Sequence, residues 1–433
     1  MKFKPQKFLV LAIAGLTISS LALTSCNQQS NNYHISSGVD LTKNISTTNA
    51  NVEYTFTGES TDLPQAYEKY SETVIEFSAE LFKNIYNENK NTVVSPITMY
   101  KNLALLSNGT LGSTEKEFKD VLGDGVISTT NINHCTDYVT QRLQHYNNDN
   151  HYLNLAQSIW IKNDVEVRNG FLQKNANFFE DSIYQVDFNK NSITHDFNDW
   201  AEYETNGDVP KIVKDIDKNS SIYLANTLSI NSNFINGFNP EDATKGKFTN
   251  RNGEKVDTTF FNSTQRVVKT NEAVAFSKGL DTIPATFVAI LPNENIDIEY
   301  YISDFLGKQL DQILDAGEEP KFVNVSIPSF SITNNDSYKN TLQDMGIEEI
   351  FTKDAKFNNL TSSNVKVTDI VQNVEIDFSH NGIKNKNDKS KTNIKINKNT
   401  NIDDTILYNR PFIFLVVDNE SNVPVILGNV NNK

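Results

Sequence analysis

The chain has 433 residues and a formal net charge of −15, with 54 acidic against 39 basic side chains. That balance excludes nucleic acid as a partner, because phosphate contacts need clustered Lys and Arg. With 26 Phe and 16 Tyr the chain can fill a large core, as one large domain or several average ones.

The N-terminus carries Lys2, Lys4 and Lys7, then an apolar run from Phe8 to Leu23 that is too short to span a membrane comfortably. Leu23-Thr24-Ser25-Cys26 follows and reads as a bacterial lipobox, so residues 1–25 are expected to be a lipoprotein signal peptide and Cys26 the lipid attachment site. A doubly acylated terminus would hold the protein at the membrane, on the bacterial cell surface. Cys135 is the only other cysteine, which leaves no intramolecular disulfide and makes it a small buried hydrophobe. Residues 26–65 are rich in Asn, Ser and Thr with few large apolar side chains, and are expected to form a disordered tether to a domain over 66–433.

From Ala66 onward, Val74, Phe77, Leu81, Phe82 and Ile85 recur at helical spacing. Thr92 to Pro96 reads as a short strand and Ile97 to Leu106 as a second helix. Leu153 to Trp160, Ser221 to Ile230, Phe287 to Leu291 and Phe322 to Pro328 read as strands, and Tyr338 to Gly346 as a short helix. Lys366 to Phe378 is a long strand, and the chain closes on a hairpin over residues 409–430. Helices early and strands late predict an α+β fold.

In this order several segments form a recognisable series. They are Val93-Val94-Ser95-Pro96-Ile97-Thr98; Gly109, Gly112, Thr114 and Glu115; Phe197-Asn198-Asp199-Trp200 with Thr205-Asn206-Gly207; and Leu224-Ala225-Asn226. Ile327-Pro328-Ser329-Phe330, Met345-Gly346-Ile347, Phe351, Asn409-Arg410-Pro411-Phe412 and Gly428 complete it. The series resembles the serpins, the serine-protease-inhibitor superfamily, along roughly 66–433.

The resemblance implies helices packed on a large mixed sheet, a β-rich C-terminal half and an exposed reactive loop. It places Ser95 and Gln372 beneath the main sheet as part of its gate, Gln372 standing where the family has His. It places Trp200 at the top of that sheet, and Phe234 where the family usually has Trp. Gly382, Ile383, Lys384 and Asn385 become the loop hinge. The bait bond falls near Ile396 counted from Gly382, or near Thr400 counted back from Pro411, with Lys395 and Lys398 inside that window.

The family's loop, once cut, inserts into the main sheet as a new strand. Inhibitory members keep the hinge small and apolar, whereas here it continues Lys384-Asn385-Lys386-Asn387-Asp388. The inward positions would be Ile383, Asn385, Asn387, Lys389 and Lys391. An unpaired buried amide costs roughly 1–3 kcal/mol, and a buried Lys several more. Two readings therefore stand: inhibition of a trypsin- or subtilisin-like serine protease, and a non-inhibitory serpin that serves as protease substrate, decoy or surface binding module. No catalytic or phosphate-binding motif surrounds any of the six His, so no enzyme activity, cofactor or metal is expected. The protein is expected to be a monomer.

Overall fold

Ser95 starts the helix on which both sheets are layered. Its hydroxyl accepts the Thr98 N–H and Pro96 fills the first helical turn. All 12 residues of that helix are buried.

The computed structural model describes residues 34–48, 67–304, 306–314, 321–384 and 405–433. In chain order the first elements are β1 (Gly38–Asp40), α1 (Tyr67–Ile85), β2 (Thr92–Val94), α2 (Pro96–Ser107), α3 (Gly112–Gly123), α4 (Thr129–Gln144), β3 (Tyr152–Lys162), α5 (Asn169–Phe178), β4 (Ser182–Val186) and α6 (Ile193–Glu204). There follow β5 (Ile222–Asn233), β6 (Thr244–Thr249), β7 (Lys255–Lys269), β8 (Ala273–Gly279), β9 (Ala285–Pro292), α7 (Ile298–Asp304), α8 (Leu306–Leu314) and β10 (Lys321–Pro328). The chain ends through β11 (Phe330–Ser337), α9 (Lys339–Asp344), β12 (Val367–Phe378), β13 (Gly382–Lys384), β14 (Thr405–Leu407), β15 (Phe412–Asp418) and β16 (Pro424–Val430).

The main sheet runs β1-β4-β3-β5-β13-β12-β11, and β5 also pairs with β12. The second sheet runs β14-β10-β7-β8-β9-β15-β16-β2, with β6 on β7. This is the expected α+β architecture. β15 and β16 are buried along their whole length, which is why they read as continuous apolar runs rather than alternating ones. Gly428 sits where a methyl group would strike the Phe414 ring, so only glycine lets β16 close on β15. The turn between them is tied down from both sides. Asp418 accepts the Ser421 N–H and hydroxyl, and Arg142 of α4 pairs with the same carboxylate.

One boundary differs from the sequence reading. Residues 35–48, expected within a disordered tether, are folded onto the domain, and one unit runs from Ile35 to Lys433. β1 pairs antiparallel with β4, Val39 opposite Gln185. The buried Asp196 of α6 accepts the Ser36 N–H at 3.0 Å, the Ser36 hydroxyl at 2.9 Å and the Ser37 N–H at 2.7 Å. Ile35 is buried, and Leu41 and Ile45 pack against the core. A polar segment can dock this way because a sheet edge and one carboxylate supply bonds that composition does not reveal. Asp196→Ala is expected to cost about 2 kcal/mol and to raise amide exchange selectively over residues 36–41. Unchanged exchange there would contradict this anchoring.

Candidate functional site

The site lies where β12 turns back into the main sheet. After Phe378 the chain makes a short turn through Ser379, His380 and Asn381. Phe234 N–H donates to Asn381 O at 2.8 Å and Phe238 N–H to His380 O at 2.7 Å, so the turn is bolted to the chain leaving β5. β13 then enters between β5 and β12. Ile383 is paired with Ser232 on one side and with Phe378 on the other, and is completely buried. Lys384 stands in register with Asp377. A methyl group at 382 would run into Ser232 O, so the hinge needs glycine for close approach. Below β13 the seam is shut: β5 and β12 pair directly in parallel from Ile222/Val367 to Leu228/Val374.

Behind the hinge is an aromatic cluster centred on Phe378, whose ring lies 4.9 Å from Phe330, 4.7 Å from Phe287 and 5.6 Å from Phe234. Two lysines sit on its rim. Lys278 Nζ is 4.4 Å from the Phe238 ring centre, and Lys433 Nζ 5.9 Å from that of Phe330. Burial pushes each ammonium down from 10.5 to about 8, with Asp377 partly opposing the shift at Lys433.

Beneath the closed seam is a lattice of buried polar groups. Gln372 Oε1 accepts the Ser95 N–H at 3.0 Å, and Gln372 Nε2 donates to Ser95 O at 2.9 Å and to Asn226 Oδ1 at 2.6 Å. Thr98 donates its hydroxyl to Asn226 Oδ1 at 3.1 Å. Asn226 Nδ2 crosses the seam to Val371 O at 3.3 Å, and Asn102 Nδ2 reaches Ala225 O at 3.4 Å. Ser95, Thr98 and Asn102 recur at three- and four-residue steps, so α2 presents one polar stripe to the underside of the seam. On the other face of the sheet, Asn335 of β11 and Asn373 of β12 both donate to Lys211 O, at 3.0 and 3.2 Å. Asn198 of α6 holds the adjoining backbone at Ile212 and Val213. That strap ties α6 across β11 and β12.

Ser95 and Gln372 thus come together beneath the sheet, and Gly382 and Ile383 lie in β13 beside β5 and β12. Trp200 does not lie at the top of the sheet. It is buried on α6, one turn from Phe197, whose ring stacks on Trp160 at 3.9 Å and meets Tyr223 at 5.2 Å. Tyr223 is at the beginning of β5, and the hinge pairs with its end. Phe234 occupies the hinge end. The spacing of Asn198, Trp200 and Thr205 marks α6 rather than the top of the sheet. Cys26, Asn385, Lys395, Ile396, Lys398 and Thr400 lie outside the described residues. Sequence reasoning missed the roles of Thr98 and Asn102. Their signal was a set of polar residues at three- and four-residue steps within a largely apolar helix.

A family model described as Serpin (serine protease inhibitor) matches residues 72–433. The chain belongs to the serpin family. Protease inhibition is the general activity of that family, whose members are not enzymes. Among relatives, the chain is 22% identical to mouse Serpin A9, covering 82% of this chain and 87% of that protein. It is 23% identical to mouse neuroserpin, covering 83% and 91%. Among solved structures, native tengpin, a thermophilic serpin, superposes with a TM-score of 0.78 at 26% identity over 92% of this chain and all of that one. Thyroxine-binding globulin complexed with thyroxine shares the fold at a TM-score of 0.73 and 20% identity, covering 84% of this chain and 98% of that one.

The two lysines set a pH dependence for this serpin. Their folded pKa of about 8 lies below the ordinary 10.5, so between these values the unfolded chain holds more protons and stability rises with pH. Near pH 10 the trend reverses, because burial raises Tyr70, Tyr100 and Tyr408 and folding then opposes their ionisation. Thermal melts from pH 7 to 11 are expected to peak between 9 and 10. Lys278→Met should flatten the rise, and a monotonic fall from pH 8 would contradict the assignment.

Proposed function

We propose that this serpin is a lipid-anchored inhibitor of a trypsin- or subtilisin-like serine protease at the bacterial cell surface. Its bait bond lies within the window of Lys395, Ile396, Lys398 and Thr400. The observation that carries this reading is the seated hinge: Ile383 is already a buried strand residue paired to β5 and β12, the first step of insertion. A Lys at the cut suits a trypsin-like specificity pocket.

Extending the two ladders shows what further insertion would require. Residue 385 would face Ile230 and Ile376, 387 would face Leu228 and Val374, and 391 would face Leu224 and Ile370, all apolar. Residue 386 would stand opposite Glu375 on the outer face, a favourable cross-strand pair for Lys386. Each new backbone hydrogen bond contributes about 1 kcal/mol. Lys391 in an apolar slot opposes that by several kcal/mol. This position favours the second reading, a protease substrate, in proportion to how slowly it is buried.

The deciding experiment mixes the domain with trypsin and with subtilisin and follows denaturing gels. Wild type is expected to divide between an acyl-linked complex and cut serpin, and Lys391→Ala to raise the complexed share several-fold. Complete cleavage with no complex in either protein would sink the inhibitor reading and leave the substrate one. Anchoring is tested separately: Cys26→Ala is expected to move the protein from the membrane fraction to the soluble one, and retention in the membrane would overturn it.

A further inference from the structure

One buried ammonium serves two carboxylates where the end of α6 meets α2 and the start of β4. Lys101 of α2 is almost wholly buried, and its ammonium donates to Phe179 O at 3.0 Å and to Asp181 Oδ1 at 2.7 Å. Asp181, just ahead of β4, is 6% exposed, and its other oxygen, Oδ2, is buried with no hydrogen-bond partner among the described residues. The Asn175 side chain fixes the backbone it projects from, accepting the Asp181 N–H at 3.2 Å and donating to Asp181 O at 2.7 Å. A buried acceptor held in place without a donor is costly.

The second carboxylate is Glu204, the last residue of α6, which is only partly exposed. A negative charge there meets the negative end of the helix dipole and the charge of Asp181, while Lys101 is already paired. Burial first, and Asp181 next, push Glu204 up to about 7 against the pull of Lys101. Burial pushes Asp181 up to about 6, with Lys101 opposing and Glu180 adding to the rise. Of the other groups at this end, Tyr184 of β4 is raised mainly by burial and lies in the field of Asp40, Glu204 and Tyr203. Asp208 accepts the Tyr152 hydroxyl at 3.2 Å. His195 pairs with Asp199 on the exposed face at the other end of α6. Two carboxylates that share one ammonium retain a proton between them. Asp181 touches Lys101 and is the ionised member, so the proton stays on Glu204. A neutral carboxyl has one O–H to donate, and Asp181 Oδ2 is an acceptor that lacks a donor.

We propose that Glu204 and Asp181 form a proton-operated latch on α6. With its proton, Glu204 donates to Asp181 Oδ2 and fastens the end of α6 to α2 and β4. When the proton leaves, two like charges remain and the end of α6 lifts. The strap follows within one turn. Thr205 caps α6 and accepts the Val209 N–H at 2.9 Å, and Lys211 O then takes Asn335 of β11 and Asn373 of β12. The latch therefore sets how tightly the strap lies across the main sheet. The folded chain holds this proton more firmly than an ordinary Glu with its value of 4.5. The docked end is at full strength below that value, weakens as the pH rises and is lost above about 7.

The test is hydrogen exchange of the full-length protein, corrected for the intrinsic rate, at about pH 5.5 and about pH 8. Protection over residues 205–209 is expected to fall about tenfold toward the higher pH, while residues 197–200 stay constant. Glu204→Gln, a neutral donor at every pH, should keep the protection at both, and Glu204→Leu should lack it at both. His195→Gln should behave as wild type. Infrared difference spectra over the same range should show a protonated-carboxyl band that Glu204→Gln removes. Constant protection in wild type, an equal loss in wild type and Glu204→Gln, or a response abolished by His195→Gln would each overturn the latch.

Discussion

Everything that distinguishes this molecule converges on one seam, the parallel ladder between β5 and β12. At its upper end the two strands are held apart by β13, with Ile383 between them. Below, they meet directly, and the side-chain amides of Gln372 and Asn226 bridge them over the α2 stripe. A parallel pair is slightly less stable per residue than an antiparallel one. An inserted antiparallel strand would exchange one such ladder for two. The seam is therefore the place where the sheet has most to gain by opening, and the buried amides set what must be broken first.

The same logic explains why the lattice tolerates Gln372 where the family has His. What the position requires is one acceptor for the Ser95 N–H and donors toward Ser95 O and Asn226, and a primary amide provides both. A neutral amide does so without titrating near neutral pH, so gate bonding in this chain does not vary with protonation as an imidazole's would. Replacement of the hinge-end Trp by Phe234 removes an N–H that would need a partner. It leaves a purely apolar cluster in which Phe378, the residue before the hinge turn, is packed on three sides.

At the open end of the seam Lys384 is in register with Asp377. Along the closed seam the polar pair Gln372 and Asn226 stands between apolar pairs, Ile370 with Leu224 and Val374 with Leu228. A loop of alternating small apolar residues would insert without pause. Under the proposed inhibitor reading, resistance is expected at the positions of Asn385, Asn387 and Lys391, which would make the partition between inhibitor and substrate a property of a few side chains rather than of the fold.

The sequence by itself determined the fold class and the family. Those rest on local patterns: helical spacing in α1, continuous apolar runs in β15 and β16, Pro96 after a capping Ser, and a glycine at 382 where β5 leaves no room for a side chain. It could not place residues 35–48, because a polar segment docks by satisfying a distant sheet edge and one carboxylate, and neither leaves a local trace. It misplaced Trp200, since the same motif spacing is compatible with a helix over the sheet or with the sheet's end. It could not foresee that Thr98 and Asn102 of α2 reach Asn226 and the Ala225 carbonyl of β5. Register between strands far apart in the chain is set by tertiary pairing, and only that pairing decides which side chains share a face.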